Sequence, residues 1–256
     1  GSHHAFRYDG VISNLGYSDR AYAINDAGTI VGSTGTGMFI VNSPNPIDTA
    51  TLNARWGWDI NNQGAFVGTT QTDIQAYSYS NGVQSLLGRL ATGQVSNAFA
   101  INDLGDVVGE SLVSGSSVPS HAFLYMDGAT MIDLGSLGDA TTSSIAWDIN
   151  NNREVVGNSN PSAGAGVNGF YWANGVMYNL NDLLVDASGY TIVTALAINN
   201  VGQIAGSAVA PDGYRHAILL TPIPEPSNAA LLAFGAVLVF WSARRFKGRP
   251  LAKRYT

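Results

Sequence analysis

The chain has no cysteine, so neither disulfide bonds nor thiol chemistry contributes to its fold or function. It is also poor in positive charge. Residues 1–222 contain no lysine and only 6 arginines against 17 acidic residues, a formal charge of −11. Such a surface repels nucleic-acid phosphates, which proteins neutralise with clustered Lys and Arg. We therefore expect no nucleic-acid partner; neutral sugars, divalent cations or simple solubility suit this charge better.

Signatures of enzymatic chemistry are missing as well. The sequence has no phosphate-cradling glycine loop, no nucleophile elbow and no zinc-ligand spacing. Its Asn-Asp clusters are compatible with calcium, but they lack the spaced carboxylates of a calcium loop. We therefore expect no cofactor and no bound metal.

What the sequence does contain is a repeat. Five segments combine a bulky residue, a small or acidic residue, Ile and Asn: Tyr22–Asn25, Trp58–Asn61, Phe99–Asn102, Trp147–Asn150 and Leu196–Asn199. Successive Asn residues are 36 to 49 positions apart, which is typical of repeat architectures. Each Asn is expected to open a type I turn followed by a left-handed glycine. In the fourth copy Arg153 replaces that glycine, which predicts a distorted hairpin.

Each repeat continues with an apolar pair and Gly, a third apolar segment and a tight turn, so it is predicted to form four short antiparallel strands. That is the size of a propeller blade. Residues 1–222 are thus predicted to be all-β, a five-bladed β-propeller of four-stranded meanders. We expect the segment Val11–Leu15 to supply the missing outer strand of the last blade and to close the ring. The alternative is an open solenoid of stacked meanders.

The repeats resemble the HAF family of probable extracellular repeat proteins. The resemblance covers nearly all of residues 1–222 and is carried by the Ala-Ile-Asn-Asp-x-Gly and Val-Val-Gly segments, His-Ala-Phe at His4 and His121, and the segment Asp133–Gly138. It implies an exported bacterial protein and supplies no catalytic residues.

The end of the chain resembles a PEP-CTERM sorting signal. Pro224, Glu225, Pro226 and Ser227 lie in a linker over 223–228, and an apolar run at 229–243 is followed by Arg244 and Arg245 within a segment 229–256. The run is predicted to be a transmembrane helix whose basic end stays cytoplasmic. The resemblance implies an exosortase-type processing peptidase as partner. It also implies transient anchoring in the inner membrane of a Gram-negative bacterium, then residence at the cell surface, in the extracellular matrix or as a secreted protein.

Two functions remain open. In a four-stranded meander the tight turns lie on one face and the long, variable connections on the other, where binding residues usually lie. Trp56, Tyr190 and Tyr214 on this second face are candidates for stacking on sugar rings, so we expect a non-enzymatic protein that binds extracellular polysaccharide or a surface protein. The alternative is a propeller-type hydrolase or lyase that uses Asp59 and Asp148 as channel carboxylates.

Overall fold

The structure is a computed structural model that describes residues 4–8, 10–15, 19–43, 47, 49–115, 119–126, 128 and 130–223. Within these ranges it is all-β, with several antiparallel sheets and no α-helix. Two 3₁₀ turns span Thr49–Thr51 and Leu180–Asp182. The all-β class predicted from the turn-rich, aromatic sequence is therefore confirmed.

Five antiparallel sheets follow one another along the chain, after an N-terminal hairpin of β1 (Phe6–Tyr8) and β2 (Ile12–Asn14). Sheet 1 contains β3 (Asp19–Ile24), β4 (Ile30–Thr34) and β5 (Gly37–Val41). Sheet 2 contains β6 (Trp56–Ile60), β7 (Phe66–Thr69), β8 (Ala76–Ser80) and β9 (Val83–Gly88).

Sheets 3 to 5 repeat this arrangement. Sheet 3 contains β11 (Ser96–Ile101), β12 (Val107–Leu112), β14 (Ser120–Tyr125) and β15 (Ile132–Asp133), and β10 (Thr92–Gly93) pairs with β13 (Ser114–Gly115) in parallel beside it. Sheet 4 contains β16 (Ser144–Ile149), β17 (Val155–Ser159), β18 (Asn168–Ala173) and β19 (Val176–Asn179). Sheet 5 contains β20 (Thr191–Ile198), β21 (Ile204–Val209) and β22 (Arg215–Leu220).

The turn after the first strand of each sheet has the predicted conformation. Gly28, Gly64, Gly105 and Gly202 all have a φ near +80°, the region that glycine adopts without a steric penalty. Arg153 takes the same left-handed conformation at φ +60°. Its N–H still donates to the carbonyl of Asn150 at 3.0 Å, as in the other turns, so the predicted distortion of this hairpin is wrong.

A β-bulge interrupts the first strand of every sheet at the bulky residue of the repeat. The pairing between β11 and β12 skips one residue between Ala98 and Ala100, so Phe99 has no partner, and the other four sheets skip their equivalent residues: Tyr22, Trp58, Trp147 and Leu196. The bulge explains the glycine that follows each apolar pair. A Cβ on Gly157 would lie 2.0 Å from the carbonyl oxygen of Ile145, so no larger residue fits there.

The core consists of layers between successive sheets. Alternate residues of each strand point to opposite faces, so one face of each sheet meets the next sheet. Between sheets 3 and 4, for example, a single buried cluster combines residues from both: Ala100, Val108, Ala122 and Leu124 from the first, and Ala146, Ile149, Val155 and Phe170 from the second. Sheet 1 is covered on its other side by the N-terminal hairpin, where Ala5 contacts Ile30 and Phe39.

Among the described residues, the stack ends in two uncovered apolar surfaces. Leu219 of sheet 5 is 61% exposed, whereas the equivalent Leu124 of sheet 3 is 1% exposed. The outward side of the N-terminal hairpin likewise exposes Phe6 and Tyr8. The apolar pattern of the interior sheets therefore continues to both ends of the stack, where no sheet formed by the described residues covers it.

Two details differ from the sequence-based expectation, and a third is not covered by the described residues. The segment Val11–Leu15 does not add a strand to the last sheet, because β2 within it pairs with β1. Sheets 1 and 5 have three strands instead of four among the described residues, and no closed propeller is found there. The expected membrane helix at 229–243 lies outside the described residues, and within them no helix is long and apolar enough to cross a bilayer.

Candidate functional site

The face that carries the Asn turns, called here the turn face, is held by two rows of hydrogen bonds. In the first row the Asn side chain of one repeat donates to the Asn backbone carbonyl of the next, at 2.9 to 3.1 Å: Asn25 to Asn61, Asn61 to Asn102, Asn102 to Asn150 and Asn150 to Asn199. The side-chain oxygen of each Asn accepts N–H groups within its own turn. Each Asn therefore builds its turn and ties neighbouring sheets together.

The second row uses the residue after each Asn. The N–H of Asp26 donates to Asn62 Oδ1, and the same contact recurs from Asn62 to Asp103, from Asp103 to Asn151 and from Asn151 to Asn200, at 2.8 to 3.0 Å. Hydrogen bonds from the Asn62 N–H and the Asn151 amide hold the pKa of Asp103 below its usual range. Asp103 and the amides of Asn62 and Asn151 are thus engaged by their neighbours.

A cavity of about 300 Å³ lies on the turn face, lined by the Ile-Asn segments of all five repeats and by Asp59. It brings the five repeats together around one site, as the repeat pattern suggested. Within the described ranges, however, no three acidic or histidine side chains come together as metal ligands. The polar groups that line the cavity belong largely to the two hydrogen-bonded rows.

Asp59 and Asp148, the candidate catalytic pair, each bridge two sheets. Asp59 accepts the N–H of Ile60 and, from the next sheet, that of Ile101, while Asp148 accepts those of Ile149 and Ile198, all at 2.7 to 2.9 Å. Burial raises the pKa of Asp59, and burial together with the charge of Asp59 raises the pKa of Asp148 to about 7. Both oxygens of each carboxylate are occupied by backbone donors.

The bulged aromatic residues form a row next to these carboxylates. Ring centroids lie 4.4 Å apart for Tyr22 and Trp58, 5.7 Å for Trp58 and Phe99, and 4.9 Å for Phe99 and Trp147. The indole N–H of Trp147 donates to Asn158. Because a bulge re-aims the side chain it displaces, the repeat places one ring from each of sheets 1 to 4 in this row, whereas sheet 5 has Leu196 at this position. The row stabilises the junctions between sheets and presents no reactive group.

The opposite face, called here the loop face, carries a cleft beside Trp56. The cleft has a volume of about 350 Å³ and is lined by the turn between β4 and β5, by the entry to β6 and by the turn after β7: Thr34, Gly35, Thr36, Gly37, Arg55, Trp56 and Gln71. A second cavity of about 380 Å³ shares Thr34, Thr36, Gly37 and Gln71 with it. The two cavities together form a groove between sheets 1 and 2.

Trp56 is half-buried in this groove. The guanidinium carbon of Arg55 lies 4.2 Å from the centroid of its ring, and the ring of Trp58 lies 5.5 Å away on the same strand. Arg55 and Gln71 are exposed. An aromatic ring beside amide, hydroxyl and guanidinium donors is the composition expected of a sugar-binding surface.

The other two aromatic candidates lie on sheet 5, and neither lines this groove. Tyr190 precedes β20 and is 39% exposed, with its ring 6.4 Å from that of His216. Tyr214 precedes β22 and is 72% exposed. Trp56 therefore belongs to sheet 2 and the two tyrosines to sheet 5. All three lie at the ends of their strands that form the loop face.

Sequence reasoning missed Arg55 and Gln71 as site residues. Arg55 directly precedes Trp56. An Arg-Trp pair in a chain so poor in cations is a signal from which Arg55 could have been identified. Gln71 lies 15 positions after Trp56, and only the packing of sheet 2 brings it to the groove.

The chain was compared with protein-family models and with curated proteins, and it matches none of them.

Proposed function

We propose that this protein is an exported, non-enzymatic repeat protein that binds extracellular polysaccharide through its loop face, with Trp56 at the centre of the site. The groove between sheets 1 and 2 is the observation that carries the proposal. A pyranose ring presents axial C–H groups to an aromatic ring and hydroxyl groups to side-chain donors and acceptors, and Trp56, Gln71 and Thr36 supply both kinds of contact.

The alternative, a hydrolase or lyase acting through Asp59 and Asp148, has less support. A catalytic carboxylate must reach the proton that it transfers. Here each carboxylate already accepts one N–H from its own strand and one from the neighbouring sheet. These contacts give both residues a role in joining sheets.

Binding is tested by titrating the full chain with soluble polysaccharides in isothermal titration calorimetry. We expect Trp56→Ala to weaken binding at least tenfold, whereas Tyr214→Ala, which removes an exposed aromatic of the same face outside the groove, leaves the affinity within twofold. Thermal melts of both variants check the fold. Equal losses in the two variants, or no binding by the wild type to any glycan, would reject the Trp56 groove as a saccharide site.

We also propose that the five sheets are the blades of a propeller, closed by contact between the outward side of the N-terminal hairpin and the uncovered face of sheet 5. The interior layers support this, because the residues equivalent to Leu219 and Tyr8 pack between sheets there: Leu124 is buried and Tyr125 is half-buried. The absence of native cysteine allows a clean test with Tyr8→Cys/Leu219→Cys and a short bismaleimide. A crosslink within one chain is expected. Crosslinks only between chains, or none, would indicate an open stack.

For localisation we propose that residues 223–256 act as a PEP-CTERM-type signal. The run at 229–243 would anchor the chain in the inner membrane until an exosortase-type peptidase processes it near Pro224–Ser227, after which the repeat domain resides at the cell surface or in the matrix. The order of the Pro-Glu-Pro motif, the uncharged run and Arg244-Arg245 supports this. Membership of the HAF-repeat family is part of the same proposal. Fractionation of the native organism is the test, and a cytosolic mature protein with residues 229–256 intact would contradict it.

A further inference from the structure

The Trp56 groove contains an exposed arginine, Arg55. Among the described residues, Arg89 pairs with Asp73 and Arg153 with Asp106, and Arg7 and Arg20 also have partners. Arg55 makes no ion pair in the described part of the chain. In a domain with a formal charge of −11, an exposed cation without a carboxylate at a groove is unusual.

The position of Arg55 against Trp56 sets what its guanidinium can bind. Its central carbon lies 4.2 Å from the ring centroid, which is within the range of a cation–π contact. A guanidinium that contacts an aromatic ring through its face keeps the N–H groups of its edge available, and these match a carboxylate in a bidentate pair. The contact with the ring also limits the side chain's freedom, so less entropy is lost when an anion binds.

The rest of the groove, as far as its described residues go, is uncharged. Its other lining residues are two threonines, glycines, Gln71 and the residues of the second cavity, and no acidic side chain is among them. Thr34 hydrogen-bonds within its own turn, to Gly37. Arg55 is thus the single charged side chain among the described residues that line the groove.

We propose that the groove selects polysaccharides that carry carboxylate groups, with Arg55 binding a uronate carboxylate while Trp56 contacts the same or the adjoining sugar ring. This rests on the proposed saccharide-binding function and names the class of glycan. The net negative charge of the domain opposes the approach of a polyanionic chain, and Arg55 offsets this repulsion locally at the groove.

The test compares polygalacturonate with its carboxyl-reduced counterpart, in which each carboxylate is a primary alcohol, using the full chain in calorimetry at about 0.15 M salt, which screens the repulsion from the rest of the acidic domain. We expect the wild type to bind the carboxylated polymer at least tenfold more tightly. Arg55→Ala should make the two affinities equal, and Arg55→Lys should retain part of the preference, because lysine keeps the charge and loses the bidentate geometry. Arg215→Ala is the matched control, an exposed arginine of sheet 5 outside the groove.

The possible failures are distinguishable. If the wild type binds both polymers equally and Trp56→Ala abolishes both, the saccharide function stands and the role of Arg55 is rejected. If Arg215→Ala weakens binding as much as Arg55→Ala, the preference is a general charge effect and the proposal fails. If poly-glutamate competes as well as an oligogalacturonate of equal charge, the groove recognises acidic polymers of any backbone, and the uronate assignment is overturned.

Discussion

The turn face and the loop face of this stack are made by the same strands, yet they use their polar residues in opposite ways. On the turn face, Asn102 accepts two N–H groups of its own turn and donates to Asn150 of the next sheet. On the loop face, Arg55 and Gln71 are exposed beside Trp56 and line a groove. The repeated residues therefore stabilise the scaffold, and the binding candidates lie where the repeats differ from one another.

The largest expected effect concerns the repeated glycine at the bulge. A Cβ on Gly157 would meet the carbonyl oxygen of Ile145 at 2.0 Å and the ring of Phe170 at 2.6 Å, so Gly157→Ala must displace backbone. We expect a loss of at least about 3 kcal/mol in the free energy of unfolding. Gly166→Ala on the loop face is the control, because nothing lies within 4 Å of its Cβ. Urea unfolding measures both, and similar small losses would contradict the bulge geometry.

A pH dependence of stability follows from Asp148. Its pKa in the folded protein is raised to about 7, so the folded state binds a proton that the unfolded state releases above its ordinary value of 3.8. This contribution is complete below about pH 4 and is lost as the pH rises through 7. We expect the free energy of unfolding to fall by roughly 2–3 kcal/mol between pH 5 and pH 8.

The matched variant for this prediction is Asp148→Ala, because alanine is the residue at the equivalent position of three other repeats: Ala23, Ala100 and Ala197. Its stability should change less between pH 5 and pH 8 than that of the wild type, even if it is lower overall from the loss of the bond to the Ile198 N–H. An unchanged slope in this variant would assign the dependence to other groups, with Asp59 as the next to test.

The Asn turns of interior and terminal sheets should differ in how much they contribute to the free energy of unfolding. Asn102 is 4% exposed, and its loss leaves the N–H groups of Leu104 and Asp106 without their acceptor and removes one of the two donors to the Asn150 carbonyl, so we expect Asn102→Ala to cost about 2 kcal/mol. Asn199 is exposed, and its amide donates to Gln203 within its own turn. Asn199→Ala should cost less than half as much in urea unfolding. Equal losses would mean that the row between sheets adds no stability.

The smallest effect tests the one turn that lacks glycine. Arg153→Gly removes a left-handed side chain but also the two-bond pair of its guanidinium with Asp106, which is 1% exposed. The cost of leaving the buried Asp106 carboxylate without its ion pair exceeds the backbone strain that glycine relieves. We therefore expect a net loss of about 1 kcal/mol in the free energy of unfolding. In an Asp106→Asn background the same substitution should be neutral or stabilising. Stabilisation by Arg153→Gly alone would show that strain dominates.

Local chemistry explains why part of this structure was predictable. The Asn turns depend on contacts over two to four residues, so their conformation followed from the repeat itself, as Gly28, Gly64, Gly105 and Gly202 confirm. The meander followed from turn lengths. The steric role of the bulge glycines could not be predicted from the sequence, because the atom that excludes a side chain at Gly157, the carbonyl oxygen of Ile145, belongs to another strand.

The candidate site was predictable only in part, for the same reason. Trp56 was identified from its type and its place on the loop face, but the groove depends on the packing of sheet 1 against sheet 2, which brings Thr36 and Gln71 to it. Asp59 and Asp148 were singled out as carboxylates at equivalent positions. Their backbone donors, Ile101 and Ile198, come from neighbouring sheets and could not be identified from one sequence.

The central claim is that the loop face binds the ligand and the turn face stabilises the scaffold. Hydrogen–deuterium exchange with and without saturating polygalacturonate tests this claim most directly. We predict slower exchange in peptides that cover 34–38, 55–58 and 70–73, and no change in peptides that cover the Asn turns at 102–106 and 150–154. Protection confined to the Asn turns, around the cavity that Asp59 lines, would contradict the account.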